Sequence, residues 1–507
     1  MRKRLLVKNT LSSLLYQITA IICGFIVPRL VLSHFGSEVN GLTHSIAQFL
    51  HVIAFLELGI GRVVQTSLYK PLAEKNSFEV SKILISANSF FRNLAYILTV
   101  YVVVLIFIYP HISNQNFDFV FTTTLILAIS ISTFAQYYFG VVNSLLITAD
   151  QHGYVNYLLQ TGTVILNTIA CVILIHLNAS IQVVRFATSA IFLLRPIMLK
   201  FYVDHKYNVD WNLKYQGEPI QQKWNGVAQH IMAILIDSSG YIVLTLFSSL
   251  TNISIYSVYM LVMNGIKQTF RSMTNGIQAI LGELWVRNEK EKLINFFGLV
   301  EWAIHSGVTF VFGSTLFLII PFVSVYTKGI TDANYHQPFF AFFIVAAFAA
   351  FCLRLPYNML IFAVGHYKQT QANYIVASIL NIVISIITVK IWGLVGVAIG
   401  SFIALFYQVV WMINYNSKYV LRWSLKNAGK QIAVDLFVVV ASYFATCWIK
   451  MDSLSYIAWF IMALKISAIV AVVLFGVNFF VFRDKLDLVK QHILKNRKKQ
   501  SLNKSKL

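Results

Sequence analysis

Apolar runs of about 20 residues, separated by short polar segments, recur along the whole chain. They fall near 10–33, 42–67, 84–109, 119–146, 155–176, 181–203, 224–249, 253–284, 294–323, 338–362, 370–389, 393–415, 431–449 and 455–481. Each is long enough to cross ~30 Å of hydrocarbon as a helix. Alternation of apolar and polar residues with period two, which would mark a membrane barrel, is absent from stretches such as Tyr101 to Tyr109. The pattern therefore predicts an all-α polytopic membrane protein with about fourteen transmembrane helices.

Composition agrees with that pattern. Hydrophobic residues make up 58% of the chain and charged residues 12%, with a mean hydropathy of +0.69, against roughly 45–50% and 25% in soluble domains. The formal net charge of +21 follows from where the bases lie. Lys and Arg gather at Arg2 to Lys8, Lys70 to Lys82, Lys200 to Lys223, Arg287 to Lys292 and Lys418 to Lys430, and in the tail from Arg483 onward. The alternate loops hold only Lys328, Lys390 and Lys450. The positive-inside rule then predicts that both termini are cytoplasmic. Bases spread over short loops do not form a nucleic-acid surface, and the Lys-rich end is suited to anionic lipid headgroups.

The chain also matches itself at an offset of 214 residues. Leu146, Ile147, Ala149, His152, Ile165, Leu166, Asn167 and Ile173 coincide with Leu360, Ile361, Ala363, His366, Ile379, Leu380, Asn381 and Ile387. Both copies read as the end of one span, a short turn with a His, and a helix with an Asn near its middle. The offset covers six spans, an even number, so the copies share one orientation and form a parallel repeat. The expected organisation is an N-terminal six-helix lobe (1–203), a cytoplasmic linker (204–223), a second six-helix lobe (224–415), two appended helices (416–481) and a basic cytoplasmic tail (482–507).

Charges inside the spans are the candidate chemistry, because an intramembrane charge usually faces a cavity or a partner. Lys267 and Arg271 lie four residues apart on one face of span 8, and Arg354 precedes Pro356 in span 10. Asp237 in span 7 reaches a depth close to that of Lys267, so a structural ion pair and a binding site are both open there. His230 lies seven residues before Asp237 on the same face. Glu57 sits near mid-depth in span 2, where Gly59 and Gly61 are expected to let neighbouring backbone approach. Arg62 and Arg29 are placed to line a cavity or to snorkel to an interface. The candidate anion site is therefore Arg271, Arg354, Lys267, Arg62 and Arg29, and the candidate ion-coupling groups are Asp237, Glu57 and His230. Glu57 and Asp237 are the only acids this reading places at mid-membrane depth.

The chemistry missing from the sequence narrows the class further. Cys23, Cys171, Cys352 and Cys447 all lie in spans, without a disulfide framework or metal-ligand spacing. The phosphate-binding loop G-x-x-x-x-G-K-[ST], the H-E-x-x-H motif and a serine elbow are all absent. The longest predicted segment outside the membrane, 204–223, is too short for a catalytic domain. No cofactor or metal is expected, and transport rather than catalysis is the expected role.

Four segments carry a resemblance to a known family. They are FLELGIGRVVQTSLYKPLAEKN (Phe55 to Asn76), HIMAILIDSSGYIVLTLF (His230 to Phe247), ISIYSVYMLVMNGIK (Ile253 to Lys267) and NIVISIITVKIWGLVGVAIGS (Asn381 to Ser401), the last with Gly393, Gly396 and Gly400. Nearly the whole chain resembles the bacterial polysaccharide flippases, often labelled Wzx, of the O-antigen, capsule and teichoic acid type. They belong to the superfamily that also holds multidrug and toxin extruders and the lipid II flippase. The resemblance implies transport of an undecaprenyl-diphosphate-linked oligosaccharide to the outer leaflet of a bacterial plasma membrane by alternating access. Membrane lipids would be partners, as would a glycan polymerase and glycosyltransferases of the same pathway. It also places Arg29, Arg62 and Arg271 by helix position among cavity arginines, and assigns spans 13 and 14 to a groove for the lipid tail. The alternatives are a cation-coupled multidrug exporter on the same fold, which would need more cavity acids, and a membrane polysaccharide polymerase, which would need a larger loop.

Overall fold

The computed structural model describes residues 2–57, 59–112, 117–217, 219–220 and 227–487, with the side chains of 2–4, 227–233 and 275 outside that description. The described chain is helical and divides into two compact units. The first comprises residues 1–261 with 329–334 and 385–397. It contains α1 (Arg2–His51), a 3-10 turn (Val52–Glu57), α2 (Ile60–Ala73), α3 (Ser77–Ile112), α4 (Phe119–Ala135), a π-helical turn (Gln136–Gly140), α5 (Val141–Ala149), α6 (Gly153–His176), α7 (Ile181–Lys206), α8 (Val227–Phe247) and the start of α9 (Leu250–Ser272). The second comprises 262–328, 335–384 and 398–507. It holds the rest of α9, then α10 (Thr274–Val286), α11 (Lys290–Tyr326), α12 (Pro338–Leu353), α13 (Leu355–Ala363), most of α14 (Tyr367–Trp392) and of α15 (Leu394–Tyr415), a π-helical segment (Asn416–Leu421), α16 (Lys426–Thr446) and α17 (Tyr456–Val481).

Among the described residues, eleven helical stretches are long and apolar enough to cross a membrane. The first of them, Leu5–Glu57, is two predicted spans joined at Gly36, whose φ of 81° interrupts the helix. Two further predicted spans fall on α8, whose apolar part is the short Ile234–Phe247, and on α9 with α10, where Lys267 and Arg271 interrupt the apolar run. The chain thus has about fourteen spans, as the hydropathy pattern predicts. Helices commonly outrun their apolar runs: α11 begins at Lys290 rather than near 294 and spans 37 residues.

Helices in lipid gain little from hydrophobic burial against one another, so close approach and polar pairs hold them. In the first unit a methyl group on Gly41 would overlap the Leu250 carbonyl, and one on Gly240 would overlap the Tyr256 hydroxyl. Ser45 and Thr245 hydroxyls are 2.7 Å apart, and the Asn40 amide donates to Ser254 Oγ at 2.8 Å. Each such pair contributes about 0.6 kcal/mol in a bilayer. In the second unit α11 packs against α16 and α17, with Leu318, Met462, Ile466 and Val470 buried together.

Element boundaries repeat at the offset read from the sequence. Adding 214 to the start of α2, to both ends of α5 and to the start of α6 gives the start of α10, both ends of α13 and the start of α14. The turn after α5 repeats bond for bond. His152 N–H donates to Ile147 O at 2.7 Å and Gln151 N–H to Thr148 O at 3.2 Å, while His366 N–H donates to Ile361 O at 3.1 Å and Gly365 N–H to Phe362 O at 3.3 Å. Gln151 and Gly365 both take positive φ, 60° and 76°, the left-handed residue that closes a helix C-terminus. The two asparagines serve their own helices differently: Asn167 accepts from Cys171 Sγ, whereas Asn381 donates to Ser401 Oγ at 3.2 Å.

Breaks within spans also recur. Gly59, with φ of 72°, separates the 3-10 turn from α2 and has no neighbour where a methyl would stand. Its role is therefore to break span 2, which corrects the expectation of close backbone approach at that residue. At the equivalent place in span 8, Met273 separates α9 from α10. Span 10 breaks at Arg354, because Pro356 has no N–H for the carbonyl four residues earlier.

Candidate functional site

Three cations converge on one aromatic ring in the second unit. Phe348, Phe351 and Arg354 lie three residues apart at the end of α12 and its break, so their side chains share a face. Over the Phe351 ring stand Arg354 Cζ at 4.4 Å, Arg271 Cζ at 4.9 Å and Lys267 Nζ at 5.5 Å, and Lys267 Nζ is also 5.4 Å from the Phe348 ring. Lys267 and Arg354 are buried and Arg271 is half-buried. Arg354 also donates to the side-chain oxygen of Gln408, a fully buried residue on α15. The i,i+4 spacing of α9 supplies two of the cations, and the proline-dependent break supplies the third.

The electrostatics of this cluster can be sized. Groups this close to one ring centre are no more than about 10 Å apart, which at an effective dielectric of ~20 costs roughly 2 kcal/mol for each pair of like charges. A cation over a ring gains about 0.5–2 kcal/mol, while removing each charge from water costs several kcal/mol. The ring gathers three cationic donors into one small region, a donor set suited to an anion.

The structure brings together Lys267, Arg271 and Arg354 in the second unit. Arg29, half-buried after Pro28 in α1, and Arg62, exposed on α2, belong to the first unit. Asp237 is half-buried on α8 within electrostatic reach of Tyr256. His230 lies outside the described side chains. Glu57 accepts a hydrogen bond of 2.6 Å from Tyr137 Oη in the π-helical turn. The repeat offset carries Glu57 onto Arg271 and Tyr137 onto Phe351, so equivalent positions hold an acid on a phenol in one copy and a base on a phenyl ring in the other.

Sequence reading missed a second set of buried charges. Glu301, His305 and Thr309 recur every fourth residue along one face of α11. His305 is fully buried, with Nδ1 2.6 Å from Asp435 Oδ2 on α16. Thr309 donates to Asp435 Oδ1 at 2.8 Å and Gln431 to the same oxygen at 3.3 Å. Tyr357 of α13 donates to Glu301 at 2.5 Å, and its hydroxyl lies 3.4 Å from His305 Nε2. The spacing E-x-x-x-H-x-x-x-T was the available signal. It was passed over because Glu301 and Asp435 lie close to the ends of their apolar runs.

No protein-family model and no curated protein matches this chain. Solved structures do share its fold. A structure described as the lipid II flippase MurJ in an inward closed conformation superposes with a TM-score of 0.68 at 14% identity, covering 93% of this chain and all of that one. A multidrug resistance MATE family transporter of the MOP superfamily, in an inward-facing conformation, gives 0.59 at 12%, covering 78% and 95%. A MOP superfamily transporter from Pyrococcus furiosus, described as having a binding pocket of reversed polarity, gives 0.56 at 13%, covering 83% and 97%. The chain shares the fold of these three structures.

Proposed function

We propose that this protein is a flippase that carries an undecaprenyl-diphosphate-linked oligosaccharide from the cytoplasmic to the outer leaflet of a bacterial plasma membrane by alternating access. The observation that carries the reading is the convergence of Lys267, Arg271 and Arg354 on Phe351. A diphosphate bearing a lipid and a sugar keeps about two negative charges at neutral pH. Two guanidinium groups can each take two phosphoryl oxygens, and the ammonium supplies a point charge. The fold shared with a lipid II flippase supports a lipid-linked cargo. A multidrug exporter would hold organic cations, which this cluster repels.

In this mechanism the cluster works by compensation. With a diphosphate bound, the three cations gain attraction to its oxygens and closure around the headgroup is favoured, which is a differential affinity between states. The glycan follows through a polar path and the polyprenyl tail stays in lipid, with α16 and α17 as its groove. Both termini are cytoplasmic, and the pathway's polymerase and glycosyltransferases are the functional partners.

The test uses the full chain in liposomes and a fluorescent undecaprenyl-diphosphate-linked sugar, with transbilayer movement followed by a membrane-impermeant quencher. Arg354→Ala and Arg271→Ala are expected to slow movement about ten- to hundredfold, the loss of one charge-assisted contact, while Arg354→Lys retains part of the rate. Wild-type rates in both alanine variants, at equal protein incorporation, would remove the diphosphate clamp.

A further inference from the structure

We infer that His305, with Asp435, Tyr357 and Glu301, forms a proton-binding relay that couples transport to a proton gradient. The inference rests on the chain's being a transporter and not on which cargo it carries. The geometry allows one exchangeable proton, held at or released from His305 Nε2. Asp435 accepts from Thr309 and Gln431 and, in the tautomer that the relay uses, from His305 Nδ1–H. His305 Nε2 then faces the Tyr357 hydroxyl, whose own proton goes to Glu301. With that proton committed, the phenolic oxygen is an acceptor, and a protonated Nε2–H completes an unbroken chain from Asp435 to Glu301. When Nε2 gives up its proton to water, the N–H bond breaks, the imidazole becomes neutral, and the Tyr357 O–H turns from Glu301 to the freed lone pair. Both states leave His305 hydrogen-bonded at each nitrogen. They differ in whether Glu301 keeps its donor, so each arrangement is self-consistent and the two exchange by one proton.

The set is enclosed by the second unit. Glu301, His305, Tyr357 and Asp435 are all buried, and with His305 protonated the two carboxylates leave the set one charge negative. Lys485, beyond α17, is the other charge facing it, within electrostatic reach of Glu301. Of the further charges on elements packed around it, Arg354 at the α12–α13 break is buried, while the Glu283–Arg287 pair of α10, Lys430 of α16 and Lys465 of α17 are exposed. The relay also spans three helices. His305 and Glu301 belong to α11, Tyr357 to the short α13 just past the Arg354 break, and Asp435 to α16, so protonation sets how firmly α16 is tied to α11.

The full chain in liposomes tests this by pH-titrated infrared difference spectroscopy. Wild type is expected to show an imidazole and carboxylate step that is lost in both His305→Gln and Asp435→Asn, and Tyr357→Phe is expected to shift its midpoint by about one pH unit. A step unchanged in both variants overturns the relay. With fluorescent undecaprenyl diphosphate as probe, the ratio of movement with and without an imposed pH gradient should fall to unity in His305→Gln, and a ratio equal to wild type in both variants also overturns it. Should wild type fail to move this probe, the proposed cargo falls while the infrared step still decides the relay.

Discussion

Phe351 carries an unusual share of the candidate site, since three cations take their positions from one phenyl face. Phe351→Leu keeps most of the volume and removes the quadrupole. Cation–π energies of about 0.5–2 kcal/mol lead to an expected three- to thirtyfold weaker affinity for undecaprenyl diphosphate, measured by equilibrium binding to detergent-solubilised protein, with thermal stability little changed. The three cations themselves were legible in the sequence, because a base in an apolar run is conspicuous. Phe351 was not, being one phenylalanine among 40. Glu301, His305 and Asp435 were hidden for a different reason: hydropathy reports how deep a residue lies along its own helix and nothing about which helix faces it, and their burial depends on α11, α13 and α16 meeting.

At the scale of elements, polar breaks and glycine contacts set the helices in place. The Gly41 methyl position overlaps backbone of Leu250, whereas Gly24 in α1 has nothing within 4 Å of the corresponding point. Gly41→Ala is expected to cost about 1–3 kcal/mol through overpacking, and Gly24→Ala to be neutral or slightly stabilising; thermal unfolding in detergent separates them. Equal melting temperatures for the two variants would show that the α1–α9 contact is not tight. The hydropathy runs placed nearly every span, yet the interruptions at Gly59, Met273 and Arg354 were unmarked, because a break of one or two residues barely changes a window average. Only Pro356 gave notice of one. A break in mid-span needs neighbouring helices to take up the freed backbone groups, so its position depends on packing that a single sequence does not display.

For the molecule as a whole, the 214-residue offset proved more informative than the eight matched residues that revealed it. It carries helix boundaries, the turn after span 4 and the break within span 2 onto their counterparts. The boundaries repeat while the side chains differ: Glu57 on Tyr137 in one copy corresponds to Arg271 on Phe351 in the other. Transport of an anionic lipid headgroup is the central claim built on that asymmetry. Its most direct measurement compares movement of undecaprenyl diphosphate, undecaprenyl monophosphate and neutral undecaprenol, each bearing the same fluorescent sugar, by the wild-type chain in liposomes. The expected order follows charge, with the diphosphate fastest and the neutral lipid at the protein-free rate. Equal rates for all three, or saturable efflux of an organic cation with no movement of the diphosphate, would contradict it.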